Sequence, residues 1–177
     1  MKKSTLIYKL DKGIIYSRKD RKSGGLRRSP FYVLTENDIR RIKLEIKAIE
    51  ADESKFVFNT GLQTGYSDET EYINICGDVM PDKSSIHPRD KLSERAVLAH
   101  EYYGHYTFSP SEFEPGDWRD EFRASYMAAL NTPNLTDDDR RLLILDAYER
   151  AKDNGIILKY CKKAKEIIYG YSENNGQ

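Results

Sequence analysis

The sequence predicts an α+β domain whose chemistry lies on helices that follow a small sheet. Three observations lead there. Isoleucines recur at helical spacing in residues 35–50, two short β-branched and aromatic runs follow at 55–61 and 71–80, and the second half reads as successive capped helices. At 177 residues the chain suits one domain with a single core. Residues 1–30 form an arm ahead of it, and residues 31–177 form the domain.

The arm has its own composition. "STLIYKLDKGIIYS" has the pattern of a short hairpin, whereas "RKDRKSGGLRRSP" is basic, holds a Gly-Gly pair and ends in Pro, as linkers do. The basic run reads first as solvated surface; the other reading is contact with an acidic partner or a junction to a longer parent protein. Order resumes at Phe31. Thr35 with Asp38 three residues on resembles a capping box, and Ile39, Ile42, Ile46 and Ile49 then share one face of an amphipathic helix. "KFVFNTG" and "EYINICGDVM" are strand-like, and "GLQTGYSDET" between them reads as turns. "HPRDKLSERAVLAHEYYGH" reads as one helix capped by Asp90 or Ser93, and "GDWRDEFRASYMAAL" as another that "NTPNL" ends. Thr136 starts a further helix with Asp137, Asp138 and Asp139 in its first turn, where the helix dipole favours acids. Asn154-Gly155 stops it as a left-handed cap, the tail "ILKYCKKAKEIIYGY" reads as a short helix or strand, and "SENNGQ" is expected to fray.

The bulk numbers exclude several classes. Lys+Arg and Asp+Glu stand at 29 each, so the basic excess of a general nucleic-acid binder is missing. Apolar runs such as "LLILDA" are far too short to cross a bilayer. Met1-Lys2-Lys3 is not followed by a signal-peptide core, which leads to a cytoplasmic expectation. Cys76 and Cys161 lack metal-binding spacing and read as unpaired thiols in a reducing compartment.

The stretch His100-Glu101-Tyr102-Tyr103-Gly104-His105 holds two of the three histidines. Residues four apart on an α-helix differ by only about 40° in direction, which is why His-Glu-x-x-His presents two imidazoles to one ion. Five apart, they differ by about 140°. A one-residue π-bulge restores a common face, as would ending the helix at Gly104, whose missing side chain eases an irregular turn. A catalytic zinc site needs three protein ligands and an open water position. The helix "WRDEFRASYMAAL" offers Glu121 as the third. Ala124, Ser125 and Ala128 provide a small-residue face for close helix approach, and Trp118, Phe122, Tyr126 and Ala129 an apolar side suited to the core. The adjacent Asp120 is placed to accept the remaining ring N–H of a ligating histidine.

His100-Glu101-Tyr102-Tyr103-Gly104-His105 with Asp120-Glu121-Phe122-Arg123-Ala124-Ser125 resembles the motif pair of the dipeptidyl peptidase III family, H-E-L-L-G-H with E-E-C-R-A-E. The resemblance implies a gluzincin-type site: His100, His105 and Glu121 as ligands of a zinc ion, Zn2+, and Glu101 as general base. It covers about twelve residues. Asp120 stands where that family has Glu, which keeps a carboxylate for an outer contact, and Ser125 stands where it has an acid, which leaves that outer contact without its carboxylate acceptor. More loosely, "GYSDETEYINICGDVMP" through "DEFRASYMAA" resembles the small zincin-like domains of bacterial polymorphic toxins and phage-associated proteins. That likeness implies a zincin-like α+β domain with its short sheet packed on the active-site helix. It also implies a larger parent protein, an immunity or inhibitor partner, and delivery into another cell.

The expected function is therefore hydrolysis of a protein or peptide substrate, with the strand "EYINICGDVM" as the edge over the cleft where an extended peptide would pair. The alternative is a non-catalytic binding module on the same scaffold, acting by protein contact. Among the remaining residues, His87 reads as a loop or helix-start residue, and Tyr102 and Tyr103 as core or surface fillers. Tyr106 and Tyr126 are candidates to donate to an oxyanion, and Arg123 matches the family pattern while also suiting a surface salt bridge.

Overall fold

The computed structural model describes residues 29–114 and 116–170. The expected N-terminal hairpin and the fraying tail lie outside them. Among the described residues the architecture is α+β: six α-helices and a three-stranded mixed sheet.

Helix α1, Glu36–Ala48, begins as its sequence dictates. The Thr35 hydroxyl accepts from the Asp38 N–H at 3.2 Å, and the Asp38 carboxylate accepts from the Thr35 N–H at 3.0 Å. Ile42, Ile46 and the capping Ile49 are fully buried, with Ile39 at the margin. A single 3₁₀ turn leads into β1, Phe56–Phe58. Next come β2, Gly65–Ser67, and β3, Tyr72–Ile75. The order across the sheet is β1-β3-β2, with β1 parallel and β2 antiparallel to β3. Ile73 and Ile75 point into the core and alternate with Tyr72 and Asn74, as period two requires.

Two expectations about this region are corrected. Gly65–Ser67 is a strand and not a turn, because pairing with β3 outweighs the low strand propensity of a Gly- and Ser-containing segment. The "EYINICGDVM" strand, β3, is central and not an edge, since it pairs on both sides.

The expected single helix over residues 87–105 is divided. Helix α2, Pro88–Lys91, ends at Leu92, whose ψ of 127° leaves the helical region, and α3, Glu94–Ala99, restarts. Ser93 is the cap of α3, accepting from the Ala96 N–H at 3.1 Å. Asp90 caps nothing there; it is buried and accepts from the Ser85 hydroxyl at 2.7 Å. The chain then continues without a break into a π-helical turn, His100–His105, and a 3₁₀ turn, Tyr106–Phe108.

Helices α4, Trp118–Asn131, and α5, Asp137–Asp153, pack along each other, and α4 also packs on the π turn. The buried face of α4 is Asp120, Ala124, Ser125, Ala128 and Ala129. Trp118, Phe122 and Tyr126 are only half-buried; Phe122 stacks on Tyr126 and meets Tyr148 edge-on, in an aromatic group beside the core rather than in it. Thr136 caps α5, and Gly155, at φ 79°, closes it in the left-handed conformation. The tail resolves as helix α6, Lys162–Tyr169. Cys76 and Cys161 are both free thiols. Among the described residues no helix is long and apolar enough to cross a membrane.

Candidate metal centre

The π turn solves the spacing problem. With the chain wound more widely over residues 100–105, the two imidazoles return to one side, and His100 Nε2 lies 3.1 Å from His105 Nε2. Glu121, one turn into α4, completes the group: its Oε2 is 3.4 Å from His100 Nε2 and its Oε1 is 3.7 Å from His105 Nε2. Three ligands about 2.0–2.1 Å from one tetrahedral ion lie about 3.3–3.4 Å apart. The observed separations bracket that value, so these residues could hold a zinc-sized cation. Among the described residues they form the one group of this kind, with ligating atoms within 4.8 Å of one another.

Gly104 has a role that local conformation did not suggest. A Cβ there would lie 2.5 Å from the Ala124 carbonyl oxygen and 2.7 Å from its Cα. Its backbone conformation makes no demand for glycine; the close approach of the π turn to α4 does. Ala124, Ser125 and Ala128, all fully buried, complete that contact, as the small-residue face predicts.

The groups behind the ligands set their orientation. Asp120 Oδ2 is 3.2 Å from His105 Nδ1, and Asp120 Oδ1 accepts from Ser111 and from Arg123, each at 2.6 Å. Arg123 thus acts on the carboxylate that holds His105. Burial pulls the His105 pKa down, but the Asp120 hydrogen bond and the charges of Glu121, Glu101 and Asp120 outweigh it and raise it to about 9. Burial alone would raise the Glu121 pKa, yet the Arg150 charge and both histidines hold it well below the usual carboxylate range.

On the other ring, His100 Nδ1 lies 2.8 Å from the Ser125 hydroxyl, which donates to Asp146 Oδ2 at 2.5 Å. Arg150 donates from Nε to Asp146 at 2.8 Å and from Nη1 to Glu121 Oε2. Sequence reasoning missed Asp146 and Arg150. Their signal was an i,i+4 charge pair within the stripe formed by Leu143, Ala147 and Ala151, a face too apolar to be a solvated one.

Glu101 is buried beside the centre, and its Oε2 accepts from the Tyr66 N–H of β2 at 2.9 Å. The sheet edge at the site is therefore β2. His87 stands at the start of α2 without a side-chain hydrogen bond to it and does not join the ligand group. Of the two tyrosine candidates, Tyr126 is turned away from the ligands and Tyr106 packs beside the β2 edge. The Tyr126 hydroxyl meets Cys161 Sγ at 3.1 Å; five residues past Glu121, it points about 140° around the helix. Lys55 sits over the Tyr106 ring, which packs edge-on against Tyr66. Tyr103 donates to the Ile49 carbonyl, and Tyr102 stacks on Phe56.

No family model, curated protein or solved structure matches the chain. The functional reading therefore rests on these residues.

Proposed function

We propose that the chain is a zinc-dependent peptidase on a zincin-like scaffold, with His100, His105 and Glu121 as ligands and Glu101 as general base. The observation that carries this reading is the convergence of three ligating side chains, with polar atoms 3.1, 3.4 and 3.7 Å apart and a buried carboxylate beside them. Zinc held there would polarise a peptide carbonyl and lower the pKa of a water molecule. The Glu101 carboxylate, fixed through one oxygen by the Tyr66 N–H, has its second oxygen to take a proton from the attacking water and return it to the leaving amine. His105 is held by Asp120, which keeps its Nε2 turned to the other two ligands. The substrate class is a protein or peptide, and the edge an extended chain would meet is β2.

One observation favours the second reading, a binding module. Glu101 ties β2 to the π turn, so a non-catalytic descendant would also have reason to keep a hydrogen-bond acceptor there. Glu101→Gln separates the two, because the amide oxygen can still accept from Tyr66 while the basic carboxylate is gone. The parent is expected to carry about one zinc per chain. The Gln variant is expected to keep fold and zinc and to lose peptide cleavage by roughly 10²–10⁴-fold, read by mass spectrometry of a peptide-library digest. His105→Ala is expected to lose both. Equal cleavage by parent and Gln variant would remove Glu101 from the chemistry. A protein that stays free of zinc under metal-supplemented, chelator-free purification would remove the centre.

A further inference from the structure

We infer that α5 supplies the positioning residues of the centre: Asp146 orients His100 through the Ser125 hydroxyl, and Arg150 ties Asp146 to Glu121. The inference rests on the metal-site reading above and concerns what holds the ligands in place.

The hydrogen-bond directions follow from the atoms. Asp146 is 1% exposed and lies between two guanidinium groups, with Arg150 Nε at 2.8 Å and Arg89 Nε at 3.5 Å. A carboxylate so placed is charged and can only accept. The Ser125 hydroxyl, 2.5 Å from Asp146 Oδ2, therefore donates its single proton there. Its lone pairs remain, so the 2.8 Å contact with His100 Nδ1 requires the ring nitrogen to donate. The proton of His100 is thus fixed on Nδ1, and Nε2 is left with its lone pair towards His105 and Glu121. Where the resembled motif has an acid, this chain has Ser125, and a carboxylate from another helix acts through it. The outer contact is made by two residues instead of one.

Arg150 extends the same assembly. It spans Asp146 Oδ2 and Glu121 Oε2, and so joins the charge behind His100 to the third ligand. With one Glu121 oxygen held by the guanidinium, the side chain is presented in a single orientation. Each ligand then has its own holder: Asp120 for His105, Ser125 with Asp146 for His100, and Arg150 for Glu121. Packing gives no reason for this arrangement, because apolar side chains would fill the α4–α5 contact without burying charge.

The test uses the full chain. Zinc affinity is measured by competition with a chromogenic chelator, and the imidazole tautomers are read from ring ¹⁵N shifts, which three histidines leave resolvable. In the parent, His100 is expected in the Nδ1–H form. Ser125→Ala removes the relay while leaving Asp146 with both arginines, so folding is retained. It is expected to mix the His100 tautomers and weaken zinc binding about 10–100-fold. Asp146→Asn is expected to act in the same direction, and if it fails to fold, Ser125→Ala decides. A parent that takes up no zinc overturns the metal reading and this inference with it. A parent that binds zinc, matched by Ser125→Ala in both affinity and tautomer, overturns the inference alone.

Discussion

Replacing Gly104 with alanine tests whether helix contact sets the ligand geometry. The added Cβ would sit 2.5 Å from the Ala124 oxygen, whereas ordinary contact begins at 3.4 Å. The obstacle is backbone and cannot rotate away, so the π turn and α4 must part by up to the difference, 3.4 − 2.5, or about 0.9 Å. The histidines ride on one element and Glu121 on the other. Their 3.4 and 3.7 Å separations would then approach about 4.3 and 4.6 Å. Two ligands each about 2.05 Å from one ion cannot lie more than about 4.1 Å apart, so Glu121 could no longer share an ion with either histidine. Overpacking costs about 1–3 kcal/mol, and Gly→Ala in a helix returns up to about 1 kcal/mol. The metal-free variant is thus expected to lose at most about 3 kcal/mol and remain folded, while zinc affinity falls by at least about 100-fold. Urea unfolding and chelator competition read the two effects separately. A folded Gly104→Ala protein with the parent's zinc affinity would refute the argument.

Three further outcomes concern the His105 proton and the α1 cap. With its pKa raised to about 9, His105 is protonated in the metal-free protein at neutral pH, so zinc uptake must displace a proton. Calorimetry in buffers of different ionisation enthalpy should show that release, and affinity should climb with pH until about 9. The sign for stability is opposite. A raised folded pKa stabilises fully below the unfolded value of about 6.5, and the contribution is lost as pH rises towards 9. Urea midpoints of metal-free protein that hold level or rise across that window would contradict it. At the far end of the chain, Thr35→Ala removes the α1 capping box and should cost about 1 kcal/mol in urea unfolding, with zinc affinity unchanged. A loss of zinc affinity there would show that the cap acts on the centre through the packing of α1 on α3, which Arg41 bridges from Asp38 to Glu94.

Local rules made much of this protein legible from its sequence. The Thr35–Asp38 box, the Ile42–Ile46–Ile49 stripe, the acidic start of α5 and its Gly155 stop depend on residues within a turn or two of one another. The distortion at residues 100–105 was legible too, because a five-residue histidine spacing is incompatible with a regular helix if both rings serve one ion. What required the tertiary structure was every relation between distant segments. β2 exists because β3 pairs with it, and its Tyr66 N–H reaches Glu101, 35 residues away in sequence. Gly104 is required by the backbone of α4 and not by its own dihedral angles. Ser125 looked like a lost acid until α5 placed Asp146 behind it, and Arg150 met Glu121 across 29 residues. Hydrogen bonds and close contacts act over a few ångströms of space irrespective of separation along the chain. The sequence by itself therefore determined the elements that rest on local rules and named the candidate ligands, and packing decided β2 and which groups hold those ligands.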